Sequence, residues 1–385
     1  MADFQHSRRA WLGRLLAAGM LIGTLPHAVF ARPARQLTDI ANRTVAIDRP
    51  INRVLLGDGT LAYAFALLIP DTPFDSVVGW GENFKAADLD GYQAYLQRFP
   101  HMGNIPSFPA TTIDSIGSEL AISLAPDVVI LNLSSRAAAE SSGLMARLAQ
   151  VNIPVVFVDF RTQMFANTVR SIEILGDLLG QQDRAAEFLQ FRAEQINRVT
   201  DALVHIQNRP SVMIERAAGL YNDCCMTYGH GNFGELVAIA GGDNLGSHFV
   251  HGTFGTLHPE QVISAEPDII LITGANWSMY SQVGDWVNLG PGADPEKGQA
   301  RLQKLMRRPA YRSLSAVQTK KVYAIWHPFY DNPYYFIALQ RIAKWLHPEL
   351  FASLDPEQTF IELHQRFLPV PYQPGYWLSL DGATA

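Results

Sequence analysis

One sequence unit occurs twice in this chain: a glutamate, six further residues, a Pro-Asp pair and then an apolar run. The first copy runs from Glu119 to Asp127 and the second from Glu260 to Asp268. An acidic residue that opens an amphipathic segment is typical of the first turn of a helix, where the helix dipole favours negative charge. The repeat therefore predicts two similar lobes, each with one carboxylate at the same place on its surface. That arrangement favours docking to a partner over catalysis.

Short apolar, β-branched runs recur along the chain, with turn signals and helix-length segments between them. Near-continuous apolarity is what strands covered on both faces require. The alternation predicts an α/β fold of two lobes, each a mostly parallel sheet flanked by helices. The predicted strands are 53–56, 76–78, 127–131, 154–158, 211–214, 268–272 and 321–325. The predicted helices outside the region between the repeats are 61–68, 142–150, 232–240, 333–346 and 356–367.

A long helical stretch lies between the two copies of the repeat, with a break at Gly180. Its second half contains no Gly or Pro and carries apolar residues at spacings of three and four, with Asp183 as the predicted N-cap. Such a helix spans ~35 Å, and we predict that it is a rigid strut, that is, a connecting helix between the two lobes. The alternative is a long helix within one domain. The predicted domains are an export signal (1–31), an N-terminal lobe (32–182), the inter-lobe helix (183–207) and a C-terminal lobe (208–385).

The first 31 residues have the pattern of an export signal. Arg8, Arg9 and Arg14 form a basic start, an apolar run covers 15–25, and compact residues precede a cut after Ala31. The run is too short to span a bilayer, which needs ~20 apolar residues. The Arg-Arg pair favours the twin-arginine route, with an ordinary Sec signal as the alternative. Either route predicts a periplasmic protein.

The remaining chain has the composition of a globular protein, with 48% hydrophobic residues. The whole chain has a net charge of −6 and residues 1–31 carry +2, so the net charge of the remaining chain is near −8. This charge disfavours nucleic acid as a partner. Cys224 and Cys225, the two cysteines of the chain, are adjacent. Neighbours across a trans peptide are closer than a disulfide normally requires, so two buried thiols are expected, with a vicinal disulfide as the alternative.

Four features together resemble one protein family. They are the two Glu-x6-Pro-Asp units, Phe233-x7-Gly-Gly-Asp-Asn244, Arg308-Pro-Ala-Tyr-Arg-Ser-Leu314 and Ala343-Lys-Trp-Leu-His-Pro-Glu-Leu-Phe351. The family is the helical-backbone periplasmic substrate-binding proteins of ABC importers for iron–siderophore, haem and vitamin B12. The resemblance covers nearly all of the chain after the signal, and its specificity lies in the order and spacing of these motifs.

The resemblance implies a monomer that captures a metal chelate and delivers it to an ABC permease and its ATPase. In that family a glutamate on each lobe engages arginines of the permease, and the matching residues here are Glu119 and Glu260. Two carboxylates held far apart on a rigid frame form charge-assisted pairs that set register. The alternative is that both are first-turn helix acids only.

The ligand is expected between the lobes, in the loops that follow the predicted strands, because ligands of open α/β sheets bind at the carboxyl ends of the strands. Aromatic rings there suit the organic shell of a chelate, and Arg and Tyr suit its anionic groups. Each candidate has a structural alternative as a core aromatic or a surface side chain. The predicted ligand-binding residues are Trp80, Arg136, Arg161, Tyr228, His230, Trp277, Trp326 and Tyr330. No catalytic residue, metal ligand or cofactor is predicted.

An iron–siderophore complex is the expected cargo. Haem, a corrinoid and a molybdate-type oxyanion are the alternatives within the same fold. The alternative from another class is a metalloenzyme exported by the twin-arginine route, which would need a clustered set of metal ligands that the sequence does not offer.

Overall fold

The computed structural model describes residues 35–109, 117–221 and 224–382, so the predicted export signal lies outside the described residues. The described chain is built around two five-stranded sheets, one in each lobe. Among its helices, none is both long and apolar enough to cross a membrane.

The first sheet is parallel throughout and follows a short antiparallel hairpin. The hairpin is β1 (Arg35–Thr38) and β2 (Thr44–Ile47). The strands of the sheet are β3 (Val54–Leu56), β4 (Val77–Gly81), β5 (Ser107–Phe108), β6 (Val128–Asn132) and β7 (Val155–Val158), in the order β5-β4-β3-β6-β7. Every residue of β3, β6 and β7 is buried, as continuous apolar runs require.

The second sheet is parallel except for its last strand. Its strands are β8 (Ser211–Glu215), β10 (Asp243–Asn244), β12 (Ile269–Gly274), β13 (Val322–Trp326) and β14 (Trp377–Ser379), in the order β10-β8-β12-β13-β14. A separate antiparallel hairpin pairs β9 (Met226–Tyr228) with β11 (Phe254–Thr256). All seven predicted strands are present, and the predicted fold class is confirmed.

Helices connect the strands in both lobes, and the five helices predicted outside the central region are all present within three residues of their expected ends. The helices of the first lobe are α1 (Ala62–Leu68), α2 (Asn83–Ala87), α3 (Leu89–Arg98), α4 (Ser118–Ser123), α5 (Arg136–Ser141), α6 (Leu144–Gln150) and α7 (Met164–Leu179). The helices that follow are α8 (Gln182–Thr200), α9 (Phe233–Ile239), α10 (Pro259–Ala265), α11 (Pro295–Leu305), α12 (Ser315–Gln318), α13 (Tyr335–Leu346) and α14 (Pro356–Phe367).

The inter-lobe helix is α8, and it is shorter than the sequence predicts. Gly180 ends α7 with a φ of 67°, a left-handed conformation that glycine adopts without steric cost. Gln181 occupies the N-cap position of α8, so the prediction of Asp183 as N-cap was wrong, and Asp183 lies in the first turn instead. The 19 residues of α8 span about 28 Å.

Helix α8 contacts both lobes through Arg184. The Arg184 Nε donates to the carbonyl oxygen of Leu67 in α1 at 2.6 Å. Its Nη2 donates to the carbonyl oxygen of Phe367 in α14 at 3.0 Å. One side chain thus ties the helix to an element on each side, as a strut between lobes requires.

Cys224 and Cys225 form a vicinal disulfide, so the expectation of two thiols was wrong. The peptide between the two cysteines is cis, and their Cα atoms are 3.2 Å apart. The disulfide lies just before β9, and the Cys224 sulfur is 3.4 Å from the hydroxyl of Tyr311.

Candidate functional site

A cavity of about 390 Å³ opens at the carboxyl ends of strands in the second sheet; we call it the binding cavity. Its lining comes from the segments that follow β8, β12 and β13, with one residue from the first lobe. The edge is the one at which ligands of open α/β sheets bind, because the connecting loops there diverge and leave a crevice. The lining residues are Ala87, Arg216, Ala217, Leu220, Tyr221, Trp277, Tyr280, Ser281, His327 and Tyr330.

Arg216 brings a positive charge to this cavity directly after β8. Its backbone N–H donates to the carbonyl oxygen of Met226, which fixes the start of the loop. Its Nη1 lies 2.9 Å from the sulfur of Met226, and its guanidinium carbon lies 4.8 Å from the centre of the Phe254 ring. A thioether and an aromatic face hold the arginine without cancelling its charge. The guanidinium therefore remains able to meet an anion.

Tyr228 lies behind Arg216 and is buried. Burial raises the pKa of its hydroxyl to about 12, although the neighbouring Arg216 opposes the shift. The phenol is therefore neutral at physiological pH. It belongs to the wall that supports the arginine, and the cavity lining does not include it.

Aromatic rings line the binding cavity together with Arg216. The rings of Trp277 and His327 are 5.4 Å apart in an edge-to-face arrangement, and those of His327 and Tyr330 are 4.7 Å apart. The His327 Nδ1 lies 2.9 Å from the hydroxyl of Thr273. Burial, with smaller contributions from Arg216 and Arg161, lowers the pKa of His327 well below its usual value. The imidazole is therefore neutral and packs as an aromatic ring.

Arg161 joins the two lobes beside these rings. It follows β7 in the first lobe and forms an ion pair with Asp331, which follows β13 in the second. Its Nη2 also donates to Asp58 and to the Tyr330 hydroxyl, at 3.3 Å each. The hydroxyl of Thr60 lies 2.9 Å from Asp331. Two carboxylates thus compensate the charge of Arg161, so this arginine acts as an inter-lobe tie as well as a neighbour of the cavity.

Five of the eight predicted ligand-binding residues lie at one of two cavities, beside one, or in the aromatic core. Trp277 and Tyr330 line the binding cavity, and Arg161 contacts Tyr330 from behind. Trp80 lines a different cavity, of about 430 Å³, which we call the second cavity. Trp326 is buried against other aromatic rings of the core, 5.0 Å from Phe329.

Arg136 and His230 do not reach either cavity. Arg136 begins α5 and forms an exposed ion pair with Glu140 at 2.8 Å. His230 is exposed in the loop between β9 and α9. The sequence placed both in loops that follow strands, but a loop position does not fix the direction in which a side chain points.

Eight of the ten residues that line the binding cavity were not among the predicted site residues, and three of them are Arg216, His327 and Tyr280. Arg216 follows a predicted strand directly, and that position was a usable signal. His327 stands between the two predicted residues Trp326 and Tyr330. Tyr280 lies in the segment after β12 that has no regular structure, and nothing in its neighbourhood marks it as a cavity residue.

Within 35–109, 117–221 and 224–382, no group of three or more His, Cys, Asp or Glu residues is arranged to hold a metal ion. The side chains at the binding cavity are instead those that meet an organic or anionic molecule: one arginine, aromatic rings and hydroxyl groups.

Glu119 and Glu260 occupy equivalent positions in the two lobes. Each is exposed in the first turn of a short helix, α4 or α10, that leads into a central strand of its sheet. Glu260 also lies 2.9 Å from the Nδ1 of the exposed His258. The two carboxylates face solvent, where a partner can reach them.

Comparison with known families gives a match over most of the chain. Residues 74–327, about two thirds of the chain, match the model of a family described as periplasmic binding protein.

The molybdate-binding protein MolA of Haemophilus influenzae is 23% identical over 386 aligned positions, which cover 93% of this chain and 97% of that protein. Among solved structures, the TroA-like periplasmic binding protein FepB from Veillonella parvula superposes with a TM-score of 0.82. Its identity is 25%, with coverage of 90% of this chain and 100% of that chain. Helicobacter pylori CeuE, solved with Ni(II) bound, has a TM-score of 0.64 and 17% identity, with coverage of 86% and 95%. This last likeness concerns the fold alone.

Proposed function

The chain belongs to the periplasmic binding protein family, and from this premise we propose that it captures an iron–siderophore-type chelate and delivers it to an ABC importer. Members of the family are solute-binding proteins that work with the permease and ATPase components of ABC transporters. This supports binding over the metalloenzyme alternative. The observation that carries the proposal is the binding cavity, which Arg216 lines together with aromatic rings.

The size of the cavity favours an organic ligand. Pockets for small organic molecules range over ~300–1,000 Å³ and combine aromatic walls with a few polar groups. At about 390 Å³ the binding cavity lies within that range. Arg216 suits the net negative charge of a ferric chelate with carboxylate or catecholate donors. Trp277 and Tyr330 suit its aromatic or aliphatic shell.

Delivery rests on Glu119 and Glu260. We propose that each carboxylate meets an arginine of the permease, one on each lobe. Both are exposed, and Arg184 of α8 donates hydrogen bonds to α1 and α14, so we expect the separation of the two carboxylates to vary little. Charge-assisted pairs at two fixed points set the orientation of docking more than its strength. We further propose that residues 1–31 direct export to the periplasm by the twin-arginine route.

Fluorescence titration tests the ligand assignment, since Trp277 lines the binding cavity and reports on its occupant. The purified chain without residues 1–31 is titrated with ferric catecholate and ferric hydroxamate chelates, haem, cobalamin and molybdate. We expect saturable quenching by a ferric chelate, with Arg216→Ala weakening binding by at least tenfold through loss of a charge-assisted contact. Arg136→Ala is the matched control, because that arginine lies away from the cavity and should leave affinity unchanged.

A molybdate-type oxyanion is the second candidate. It is favoured by the 23% identity to MolA over nearly the whole length of both proteins. Calorimetry with molybdate distinguishes the two candidates, since the ferric-chelate proposal expects no heat of binding at micromolar concentrations. Tight molybdate binding without any response to ferric chelates would replace the first proposal by the second.

A further inference from the structure

The second cavity adjoins the binding cavity across a single side chain. It opens at the edge of the first sheet, where β4 ends and β5 begins, and has a volume of about 430 Å³. Its lining residues are Trp80, Gly81, Glu82, Phe84, Lys85, Ala86, Tyr92, Gly103, Ile105, Ser107, Met279 and Tyr280. Tyr280 lines both cavities.

Tyr280 belongs to the irregular segment after β12, which reaches from the second lobe to the first. The Asn276 side-chain amide donates to Asp90 of α3 at 2.7 Å, which anchors the segment on the first lobe. A turn follows, in which the backbone N–H of Tyr280 donates to the carbonyl oxygen of Trp277 at 2.9 Å. Anchored at both points, the ring of Tyr280 stands between the two cavities as a partition.

The side chain of Tyr280, which separates the two cavities, is uncharged and carries a hydroxyl group. Burial raises the pKa of the Tyr280 hydroxyl, and Asp58 and Glu82 add to the rise. The side chain is nevertheless about half exposed, so it borders both cavities without closing either. A ligand that passes this ring meets aromatic surface and one hydroxyl group.

The chemistry on the two sides differs. The binding cavity has an arginine that two apolar neighbours hold, which suits the anionic part of a ligand. The second cavity is walled by the rings of Trp80, Phe84 and Tyr92 and the thioether of Met279. Its charged groups, Glu82 and Lys85, are of opposite sign and exposed at the rim. Such a wall suits an apolar or aromatic group without net charge.

We propose that the two cavities hold the two parts of one ligand. The anionic metal centre lies by Arg216, and an aromatic or aliphatic arm passes Tyr280 into the second cavity. The inference rests on the proposed function and names its substrate class: a chelate whose metal-binding head carries an apolar arm. A tetrahedral oxyanion or a compact chelate fills the binding cavity alone and leaves the second cavity unused.

A matched pair of ferric chelates tests whether the head and the arm of the ligand occupy separate cavities. The probes are the ferric complexes of N-methyl-2,3-dihydroxybenzamide and of N-benzyl-2,3-dihydroxybenzamide, which share a catecholamide head and its charge and differ in the apolar arm. Calorimetry should show the armed chelate binding at least tenfold more tightly, since the second cavity removes the apolar surface of the benzyl ring from water.

Ser107→Trp fills the second cavity from an exposed position and should abolish that tenfold advantage without weakening the armless chelate. Met279→Trp narrows the same cavity from the segment after β12 and should act in the same direction. Gln97→Trp, on an exposed face of α3 away from both cavities, is the control and should keep the advantage. Circular dichroism confirms that each variant is folded.

Equal affinity of the two chelates for the unmodified protein overturns the assignment of head and arm to two cavities, while the proposed function stands. An advantage that survives both tryptophan substitutions also overturns it. Absence of binding by both chelates overturns the assignment of head and arm to two cavities, and it overturns the proposed function as well when ferric hydroxamates also fail to bind. Affinities that Arg216→Ala leaves unchanged overturn both proposals.

Discussion

The two Glu-x6-Pro-Asp units are built alike in backbone and differ at their helix starts. In each, the residue two after the glutamate, Ala121 or Val262, is fully buried. In each, the residue before the proline has a positive φ, 44° at Ala125 and 43° at Glu266. The two units therefore join helix and strand with the same backbone geometry, although Ala125 and Glu266 differ in residue type.

The aspartate of each unit ties its strand to the neighbouring one. The Asp127 Oδ2 accepts the backbone N–H groups of Asn52 and Arg53, both at 2.9 Å, just before β3. The Asp268 Oδ2 accepts the backbone N–H and the hydroxyl of Ser211, both at 2.8 Å, at the start of β8. The same side chain thus performs the same structural task in both lobes.

The helix starts differ. Helix α10 opens with Pro259 and a capping box in which the Gln261 side chain accepts the backbone N–H of His258 at 2.7 Å. Helix α4 is preceded by Gly117 with a φ of 54° and has no side-chain cap at its N-cap residue. A defined cap restricts the first turn more than a glycine does. The second glutamate is therefore held in a more fixed position than the first.

Loss of both glutamates should give the largest effect. The double variant Glu119→Gln, Glu260→Gln should abolish uptake by cells while ligand affinity stays unchanged, since neither residue lines the binding cavity or the second cavity. The comparison predicts unequal single variants, with Glu260→Gln more harmful because the better-fixed carboxylate loses less entropy on pairing. Uptake of a radiolabelled ferric chelate measures this. Normal uptake in the double variant would disprove the docking role.

The two aspartates should contribute nearly equal stability. Asp127→Ala and Asp268→Ala each remove two hydrogen bonds, so each should lower the free energy of unfolding by about 2 kcal/mol, at about 1 kcal/mol per bond. Urea unfolding followed by circular dichroism measures both. Asn at either position retains one acceptor oxygen and should recover part of the loss. A difference well above 1 kcal/mol between the alanine variants would break the structural equivalence of the units.

Glycine at the positive-φ positions should stabilise the first unit more than the second. Relief of the left-handed conformation, less the added chain entropy of glycine, leaves Ala125→Gly about 0.5–1 kcal/mol more stable. Glu266→Gly gains the same relief but loses the contacts of its carboxylate with the Ser315 N–H and hydroxyl, at 3.3 and 3.4 Å. Glu266→Ala isolates that loss. Equal stabilisation by the two glycine variants would show that the Ser315 contacts contribute nothing.

The strands and most helices were predictable from the sequence, because buried segments have a regular pattern of apolar residues. Strands such as β6 and β12 are continuous apolar runs, and Pro-Asp marks where each begins. The end of α8 at Thr200 was not predictable, since the apolar stripe continues to Leu203 beyond the last helical turn. Helix ends depend on tertiary contacts that a single periodicity does not contain.

The sequence predicted the region of the candidate site but not most of the residues that line it. Trp277 and Tyr330 follow strands and line the binding cavity, but Arg136 follows a strand as well and forms a surface ion pair. Tyr280 lines both cavities because Asn276 anchors its segment to Asp90, a contact across 186 positions of sequence. Such long-range contacts decide which loop residues face a cleft, and no local pattern encodes them.

The smallest expected effect concerns the pKa of Glu260. The hydrogen bond from His258 lowers this pKa, so His258→Ala should raise it towards the usual value for a glutamate. A carboxylate with a lowered pKa adds stability above its unfolded pKa and loses it as the pH falls through the folded pKa. Both groups are highly exposed, so no measurable change in the free energy of unfolding is expected, and uptake at neutral pH should persist because Glu260 stays ionised.

Carbon-detected NMR titration measures the shift in the pKa of Glu260. Glu119, which has Gly117 at the position of His258, is the internal control, and a parallel shift there would mean that the substitution acts on the whole protein rather than on this pair.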